Sequence, residues 1–504
     1  MRFFVVSLAF LLATSFVFSA DERPNVVFIL ADDLGVNDIG AFNAKTFYET
    51  PNIDRLASDG IRFTSAYAAC NVCSPTRYSI QSGRYPVRSG ITNFLAGTRS
   101  ERFEPAELNL FMPLEEITIG EAFHEAGYHT ALIGKWHLGD MKQYGPQNQG
   151  YEVVSGDTRY IAPSIDNLAF PNPPADDKMS QLPIETRTTL AADDALLTLE
   201  AFQKSDKPFF LFLSLYQVHV PLGASEELIA PYREKKERLG LQDDETLDFA
   251  EEEQAHVTDE PRKTRIRQNH VTYAGMMSHT DNTVGRVLQK LDELQLADNT
   301  IVVFMSDNGG LATAEGSPTS NLPFRAGKGW NYEGGVREPL VIRWPKAIKP
   351  GSVNDTPVVS TDFYPTLLEA AGIPLKKQQH LDGVSFLPLL KGENELPERA
   401  FFWHYPHYSN QGGFPSSAVR LGDWKLIQRL EDGRTHLYNI REDIGEQNDL
   451  AEKHPEKVAE LQKLLFGWYK ETGARFLNPK NGVTPWRPFG GRIPNNNRER
   501  SETR

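Results

Sequence analysis

The sequence predicts an α/β fold, with a large mixed, mostly parallel sheet flanked by helices and a smaller C-terminal α+β domain. Up to about Leu390, continuous apolar runs typical of buried parallel strands alternate with amphipathic helical segments. Beyond Leu390, period-two strands are joined by Gly-Asp and Asp-Gly turns and followed by one amphipathic helix. This change of pattern predicts a short antiparallel sheet covered by a helix.

The composition is that of a globular protein, with 504 residues, 40% hydrophobic and 24% charged. This length exceeds one compact core and suits about two domains. The boundaries we predict are a signal peptide at 1–20, the large α/β domain at 21–392, the α+β domain at 393–480 and a tail at 481–504.

The N-terminus predicts export. Met1 and Arg2 precede an apolar run over 3–18, and small residues follow at Ser19 and Ala20. The alternative is a membrane anchor, but the run is short for a span and no stop-transfer charges follow it. We therefore expect a secreted or periplasmic protein with no stable membrane insertion after cleavage.

The formal net charge of -14 excludes one class of partner. An acidic surface repels phosphates, so we expect no nucleic-acid binding. An anionic ligand would need a local basic pocket.

In the large domain, apolar runs predict strands at 25–30, 61–67, 130–133, 209–215, 300–305 and 340–343. Apolar residues at helical spacing predict helices near 51–57, 118–126, 277–291 and 362–372. Gly60 is the predicted cap of the first helix, and Asp362 begins the last. Thr118 with Glu121 forms a capping box that opens the second helix, which Gly127 ends.

Three segments between these elements predict excursions from the sheet. Residues 161–182 are rich in proline and acidic residues and predict a surface excursion. The mixed charges of 225–268 predict a solvated helical insertion. The glycine-rich loop 311–336 is long for a compact domain and is more often functional than idle.

The C-terminal strands are predicted at 418–421, 424–430 and 435–440. A final helix begins near Glu456. Its apolar face is predicted to comprise Val458, Leu461, Leu464, Leu465 and Trp468.

Polar clusters follow five of the predicted strands. These clusters are Asp32-Asp33, Cys73 to Arg77, Lys135 with His137, His219, and Asp307-Asn308. In open α/β sheets, sites assemble at the carboxyl ends of the strands. We therefore expect these side chains to converge.

Asp32, Asp33, Asp307 and Asn308 offer only oxygen ligands, which suits calcium or magnesium better than zinc, with calcium the expected ion. The alternative for Asp33 or Asn308 alone is a helix cap or turn residue. Cys70 and Cys73, the two cysteines, are spaced as C-x-x-C, so a local disulfide or redox site is an alternative interpretation of this stretch.

Two motifs carry a resemblance to a known family. Cys73-Ser74-Pro75-Thr76-Arg77 has the form C-x-P-x-R, and the segment 127–137 reads Gly-Tyr-His-Thr-Ala-Leu-Ile-Gly-Lys-Trp-His. With the oxygen cluster, they resemble the type I, formylglycine-dependent sulfatases of the alkaline-phosphatase-like superfamily. The resemblance covers most of the chain after 1–20.

The resemblance implies a role for each matching residue. Cys73 would be oxidised to formylglycine by a maturation enzyme. One hydroxyl of its hydrate would be bound to the metal, with Arg77 nearby, and would attack sulfur. Lys135 and Lys328 would hold the sulfate oxygens. His219 would protonate the leaving alcohol, and His137 would take a proton from the second hydroxyl of the hydrate.

The expected activity is hydrolysis of sulfate monoesters, with a sulfated carbohydrate as substrate. Arg325, His404 and His407 are candidates for the sugar-binding rim, with an aromatic core edge as the alternative for the histidines. The competing functions are an arylsulfatase for small aromatic esters, a phosphonate monoester or phosphodiester hydrolase, and a catalytically silent glycan binder.

Overall fold

A computed structural model describes residues 23–95, 97–165, 168–170, 181–252, 262–376, 379, 381–393 and 396–488. The predicted signal peptide and the part of the tail beyond 488 lie outside these residues. Among the helices described, none has the length and apolar character needed to cross a membrane.

The strands follow the chain as β1 (Asn25–Ala31), β2 (Ile61–Tyr67), β3 (His129–Gly134), β4 (Val153–Gly156), β5 (Tyr160–Ile161), β6 (Phe209–Ser214), β7 (Phe249–Glu252), β8 (Arg262–Arg265), β9 (Thr300–Ser306), β10 (Arg337–Arg343), β11 (Ser352–Asn354), β12 (Val358–Val359), β13 (Phe401–Tyr405), β14 (Ser416–Leu421), β15 (Trp424–Arg429) and β16 (Thr435–Asn439).

The α-helices are α1 (Pro51–Ser58), α2 (Cys73–Ser82), α3 (Ile119–Glu125), α4 (Ile184–Gln203), α5 (Glu226–Arg238), α6 (Glu245–Asp248), α7 (Val271–Glu293), α8 (Glu333–Val336), α9 (Phe363–Ala370), α10 (Leu387–Leu390) and α11 (Pro455–Thr472). Short 3-10 helices lie at Val36–Asp38, Pro86–Arg88, Pro146–Asn148, Ala297–Asn299 and Ser360–Asp362.

The large sheet has the order β11-β2-β10-β9-β1-β6-β3-β4-β5, and β12 also pairs with β2. Its centre is parallel, because β1 pairs in parallel with β6 and β9, and β3 with β6. Strand β10 runs antiparallel to both β2 and β9, so β2 and β9 point the same way. The mixed, mostly parallel sheet that the sequence predicts is confirmed.

The central strand β1 is buried on both faces. Val26, Phe28 and Leu30 pack with residues of α2, α3 and α9 on one face, and the alternate residues of β1 pack with residues of α1, α4 and α7 on the other. Burying one such side chain stabilises the fold by about 1.5–3 kcal/mol. Two helical layers therefore fix the strand whose carboxyl end carries Asp32 and Asp33.

The capping box that opens α3 is confirmed. The Glu121 amide donates to Thr118 Oγ1 at 3.0 Å, and the Thr118 amide donates to the Glu121 carboxylate at 2.7 Å. Gly127 follows with φ 85°, a left-handed conformation that glycine adopts without strain.

Two other predicted helix signals are wrong. Gly60 does not end α1 in a left-handed conformation; a Cβ on it would lie 2.3 Å from the carbonyl oxygen of Ile342 in β10, so glycine permits this close approach. Asp362 precedes α9, but its carboxylate accepts the amides of Val359 and Val384 instead of capping the helix.

The charged insertion is only partly helical. Besides α5 and α6, it contains β7 and β8, which form a two-stranded antiparallel sheet. Residues 253–261 within it, like 171–180 of the predicted surface excursion, lie outside the described residues. The predicted helical insertion is therefore confirmed for α5 and α6, whereas the sheet of β7 and β8 was not predicted.

The smaller sheet has the antiparallel order β13-β14-β15-β16, and α11 packs on β14 and β15. Strand β13 was not predicted, because Phe-Phe-Trp-His-Tyr lacks the polar alternation of an edge strand. On α11, Leu461, Leu465 and Trp468 are buried, whereas Leu464 is 37% exposed and does not belong to the buried face. The domain boundary near 393 stays a prediction.

Candidate active site

One edge of the large sheet gathers the predicted polar clusters. The carboxyl ends of β1, β3, β6 and β9 deliver Asp32-Asp33, Lys135 with His137, His219, and Asp307-Asn308 respectively. These strands point the same way, so their carboxyl ends meet at one edge. A pocket of about 520 Å³ opens there, and its lining includes Asp32, Cys73, Lys135, His137, His219 and Lys328.

Cys73 is the first residue of α2 and is 1% exposed. Pro75 fits the first helical turn, where no intrahelical N–H bond is required. Thr76 Oγ1 donates to the Cys70 carbonyl at 3.0 Å and ties the preceding loop to the helix. Burial raises the pKa of the Cys73 thiol, although Lys135 opposes the shift, so the unmodified side chain is a poor nucleophile at neutral pH.

The two cysteines are both free thiols, so the disulfide alternative finds no support in the structure. Cys70 is buried, which raises the pKa of its thiol to about 12. A redox pair requires an accessible thiolate, and neither cysteine provides one.

Arg77 fixes the floor of the site. Its Nε and Nη2 lie 2.9 and 2.7 Å from Asp307 Oδ2. Its Nη1 donates to the Lys135 carbonyl at 3.1 Å and also to Ser214 Oγ. This one buried guanidinium therefore connects the carboxyl ends of β3, β6 and β9 to α2.

Each of the two lysines pairs with a neighbouring carboxylate. Lys135 Nζ lies 2.6 Å from Asp32 Oδ2, and Lys328 Nζ lies 2.8 Å from Asp33 Oδ2. Burial opposes the charged form of Lys328, but the carboxylate of Asp33 outweighs it and raises the pKa above its usual range. Both ammonium groups are therefore positive within the pocket.

The two histidines are neutral in this environment. Burial, with Lys135 next to it, lowers the pKa of His137 well below 6.5, and burial together with Lys328 lowers the pKa of His219. His137 Nδ1 lies 3.4 Å from Cys73 Sγ, and its φ of 58° is a strained backbone conformation. His219 Nδ1 lies 2.6 Å from the Val220 carbonyl, which directs Nε2 towards Asp33 at 3.6 Å.

The oxygen cluster has the features of a cation site. One oxygen each of Asp32 and Asn308 is buried without a hydrogen-bond donor among the described residues. Asn308 Nδ2 donates to Asp33 Oδ1 at 2.8 Å, which fixes the orientation of the amide and leaves its oxygen for another ligand. The ligand atoms of Asp32, Cys73 and Asp307 lie within 4.8 Å of one another.

The charges of the cluster support the same interpretation. Burial and the nearby Asp32 raise the pKa of Asp307 to about 7, as expected for carboxylates crowded together in a buried site. Three carboxylates face three cationic side chains here. A divalent ion would leave the centre with an excess of positive charge, which favours an anionic substrate.

The three predicted rim residues do not line the pocket. Arg325 pairs with Glu252 at 2.6 Å and donates to the Glu446 carbonyl. His404 has both ring nitrogens within 2.7 Å of partners, the Ser417 hydroxyl and the Arg475 carbonyl. The fully buried His407 lies 2.8 Å from Thr92 Oγ1.

Other lining residues were missed by the sequence analysis. The polar and aromatic ones are Phe94, Thr98, Arg99, Asp157, Arg187, Tyr216, Glu315, Asn410 and Gln411. Asp157 follows β4 and Tyr216 follows β6, so the rule that sites assemble at strand ends could have found them. Asn410 and Gln411 lie in the loop after β13, a strand that was not predicted.

Comparisons with known proteins agree on the family. Residues 24–373 match the family model described as Sulfatase, and residues 326–470 match N-sulphoglucosamine sulphohydrolase, C-terminal. A sulfatase of Formosa agariphila is 32% identical, with 86% of each chain covered. The N-acetylgalactosamine-6-sulfatase of Canis lupus familiaris is 31% identical, over 81% of this chain and 72% of that protein.

A solved structure shows the same fold. The crystal structure of Ps i-CgsB matches with a TM-score of 0.69 and 28% identity, covering 88% of this chain and 92% of that one. A structure of the same protein contains k-i-k-neocarrahexaose. From these matches and the fold, the chain belongs to the sulfatase family of the alkaline-phosphatase-like superfamily and is a sulfuric ester hydrolase.

Proposed function

We propose that the protein hydrolyses sulfate monoesters of a carbohydrate, with Cys73 matured to formylglycine. Calcium, or alternatively magnesium, would be held by Asp32, Asp33, Asp307 and Asn308, next to the side chain of residue 73. One observation carries the proposal: Cys73 lies at a buried helix start where this oxygen cluster, two lysines and two histidines meet.

Maturation accounts for a cysteine with a raised pKa at this position. As a hydrated aldehyde, residue 73 would supply one hydroxyl to attack sulfur and a second whose deprotonation releases sulfate from the enzyme. His137 is the base for that second proton, because its ring is neutral and its Nδ1 lies 3.4 Å from the side chain of residue 73.

Lys135 and Lys328 would bind the oxygens of the sulfate group. Both ammonium groups line the pocket and are charged. A divalent ion in the oxygen cluster would act as a Lewis acid for the same group. Arg77 would hold Asp307 and the carbonyl of Lys135 in place, through the contacts already described, and so keep the cluster rigid during turnover.

His219 would act as the general acid for the leaving alcohol. Its Nδ1–H is engaged by the Val220 carbonyl, so Nε2 is the atom that exchanges a proton at the pocket. The arriving sulfate ester brings negative charge next to the ring and favours the protonated form. A sugar alkoxide is a poor leaving group, so this proton matters most for carbohydrate esters.

The carbohydrate part of the proposal is supported by two comparisons. One relative is named for N-acetylgalactosamine 6-sulfate, and one similar structure holds a carrageenan oligosaccharide. We further propose a secreted or periplasmic enzyme, with 1–20 as signal peptide, 21–392 as catalytic domain, 393–480 as α+β domain and 481–504 as tail. A formylglycine-generating or equivalent enzyme would be its maturation partner.

The test is a substrate panel on the matured, purified protein. It contains defined sulfated mono- and oligosaccharides, 4-nitrophenyl sulfate, and a matched phosphodiester and phosphonate monoester. We expect the highest kcat/KM for one sulfated sugar. A higher kcat/KM for the phosphorus esters would overturn the sulfatase activity, and a preference for the aryl ester would overturn the carbohydrate assignment.

A further inference from the structure

A second wall of the pocket is formed by three residues from two loops. Glu315 comes from the long loop after β9, and Asn410 and Gln411 come from the loop after β13. Glu315 Oε1 accepts the side-chain amide of Gln411 at 3.0 Å and also that of Asn410. We call these three residues the acceptor wall.

The carboxylate of Glu315 orients both amides. An amide group that donates its nitrogen to a carboxylate must direct its oxygen elsewhere. Gln411 is also held by its backbone, since its carbonyl accepts Thr313 Oγ1 at 2.7 Å and Trp330 Nε1 at 3.1 Å. The oxygens of the acceptor wall are therefore in fixed positions.

Three oxygens of the wall have no donor. Glu315 Oε2, Asn410 Oδ1 and Gln411 Oε1 are buried and make no hydrogen bond to any described residue, and Gln411 as a whole is 1% exposed. A buried acceptor without a donor is unfavourable, so such groups in a pocket point to a ligand that donates. These three oxygens of the wall need hydroxyl or N–H groups as partners.

Four basic residues of the pocket lining have the opposite character: Arg99, Lys135, Arg187 and Lys328. Lys135 and Lys328 provide donors and positive charge, and the Glu315 carboxylate is close enough to Lys328 to help raise its pKa. A sulfate group, which only accepts hydrogen bonds, fits the lysines and is repelled by Glu315. The pocket therefore favours a sulfate group next to the lysines and a free hydroxyl group next to Glu315.

We infer that the acceptor wall binds free hydroxyl groups of the sugar that carries the scissile sulfate, and that it rejects a second sulfate at those positions. The inference rests on the proposed function and deepens it to one substrate class: sugars with a single sulfate beside unesterified hydroxyls. Two neighbouring hydroxyls match the carboxylate and amide oxygens, which can accept from both at once.

The test compares two ratios in wild type and Glu315→Gln. The substrates are the best monosulfated sugar of the panel, the same sugar with a second sulfate, and 4-nitrophenyl sulfate, which has no hydroxyl donors. In wild type we expect kcat/KM for the disulfated sugar to be at least about tenfold below that for the monosulfated one. In Glu315→Gln we expect the ratio of kcat/KM for the monosulfated sugar to that for the disulfated sugar to be smaller. We also expect the ratio of kcat/KM for the monosulfated sugar to that for the aryl ester to fall about tenfold.

The two kcat/KM ratios distinguish a loss of sugar recognition from a general distortion of the pocket. A distorted pocket lowers kcat/KM for all three substrates together. Asn410→Ala should lower the same preference for the sugar over the aryl ester, and Glu115→Gln, an exposed carboxylate outside the pocket lining, should change neither ratio. Unchanged ratios in both wall variants would overturn the inference while leaving sulfate hydrolysis intact. Absence of any sulfate ester turnover in wild type would overturn the proposed function and the inference with it.

Discussion

At the scale of single residues, the site is assembled from positions far apart in the chain. Cys73 meets His137 through one contact of 3.4 Å, and Arg77 meets Asp307, which lies 230 residues further along. The sequence predicted these neighbours because each follows a strand, and parallel strands deliver their ends to one edge. It did not predict Glu315, since the position of a long loop depends on tertiary contacts.

Replacing the proposed nucleophile should abolish turnover without unfolding the protein. We expect Cys73→Ala to lower kcat about 10⁴-fold or more, because no other side chain can form the covalent intermediate. Cys70→Ala is the matched control and should retain most activity. Mass spectrometry of the wild-type peptide should show an aldehyde at position 73; substantial turnover by Cys73→Ala would contradict the role.

The proposed role of His219 as general acid can be tested by comparing substrates with poor and good leaving groups. We expect His219→Ala to lower kcat/KM for sugar sulfates about 10²- to 10⁴-fold and to affect 4-nitrophenyl sulfate much less, because nitrophenolate leaves without a proton. His454→Ala serves as control, because this side chain is 42% exposed and lies outside the pocket lining. Equal losses for good and poor leaving groups would argue against proton donation by His219.

At the scale of elements, a sequence pattern that predicts a helix end was reliable where the interacting residues are close together in the sequence. The capping box of α3 joins residues three apart and forms as predicted. Gly60 and Asp362 are equally typical of helix ends. In the folded protein, however, Gly60 contacts the backbone of β10, and the Asp362 carboxylate accepts the amide of Val384. The same reason explains His404 and His407, which suggested a binding rim and instead fill the interior after β13.

This buried pair predicts a pH dependence of stability. Burial lowers the pKa of His404 to about 4 and that of His407 to about 3, where the nearby His404 adds to the effect. Below pH 6.5 the two histidines bind protons in the unfolded chain but not in the folded state. Stability therefore falls as the pH drops from 6.5 towards 4. When the pH is lowered from 7.5 to 5, each histidine should lower the free energy of unfolding by up to about 2 kcal/mol.

Thermal unfolding at these two pH values provides the measurement. His407→Gln removes one of the two groups, so the difference in Tm between pH 7.5 and 5 should be smaller than in wild type. His454→Gln, at a side chain that is 42% exposed, should leave that difference unchanged. An identical pH response in His407→Gln would show that His407 has the same pKa in the folded and unfolded states.

At the scale of the whole molecule, the sequence predicted the layers better than the order of the strands. Apolar runs such as β1 require cover on both faces, which implies helices on both sides of a sheet. Nothing in the run at 340–343 distinguishes a parallel strand from the antiparallel β10, because both are buried and apolar. Pairing direction depends on the connections, and these are long here.

A buried ion network joins the two sheets. Lys425 in β15 is 0% exposed, and its Nζ lies 2.9 Å from Glu333 of α8 and 3.0 Å from Glu446. Lys425→Met would remove the cation between the two buried carboxyl groups and, among the described residues, leave only Glu333 with another cationic partner, Arg337. We therefore expect a loss of about 3–5 kcal/mol in the free energy of unfolding.

Urea denaturation measures this loss. Adding Glu333→Gln and Glu446→Gln to Lys425→Met should restore part of the stability, since the uncompensated charges are then removed. The exposed Lys463→Met is the control for loss of an ammonium group. A midpoint equal to that of wild type in Lys425→Met would show that the network contributes no net stability.

The burial of Cys73 has a consequence for the order of events in biosynthesis. In the folded protein it is 1% exposed, at the base of a pocket completed by Lys328, Asn410 and Gln411. A maturation enzyme must reach this side chain, and in the folded protein almost none of its surface is accessible. The chain emerges with residue 73 more than 200 residues ahead of its partners from β9 onward, so the oxidation we propose has to occur on the nascent or still unfolded polypeptide.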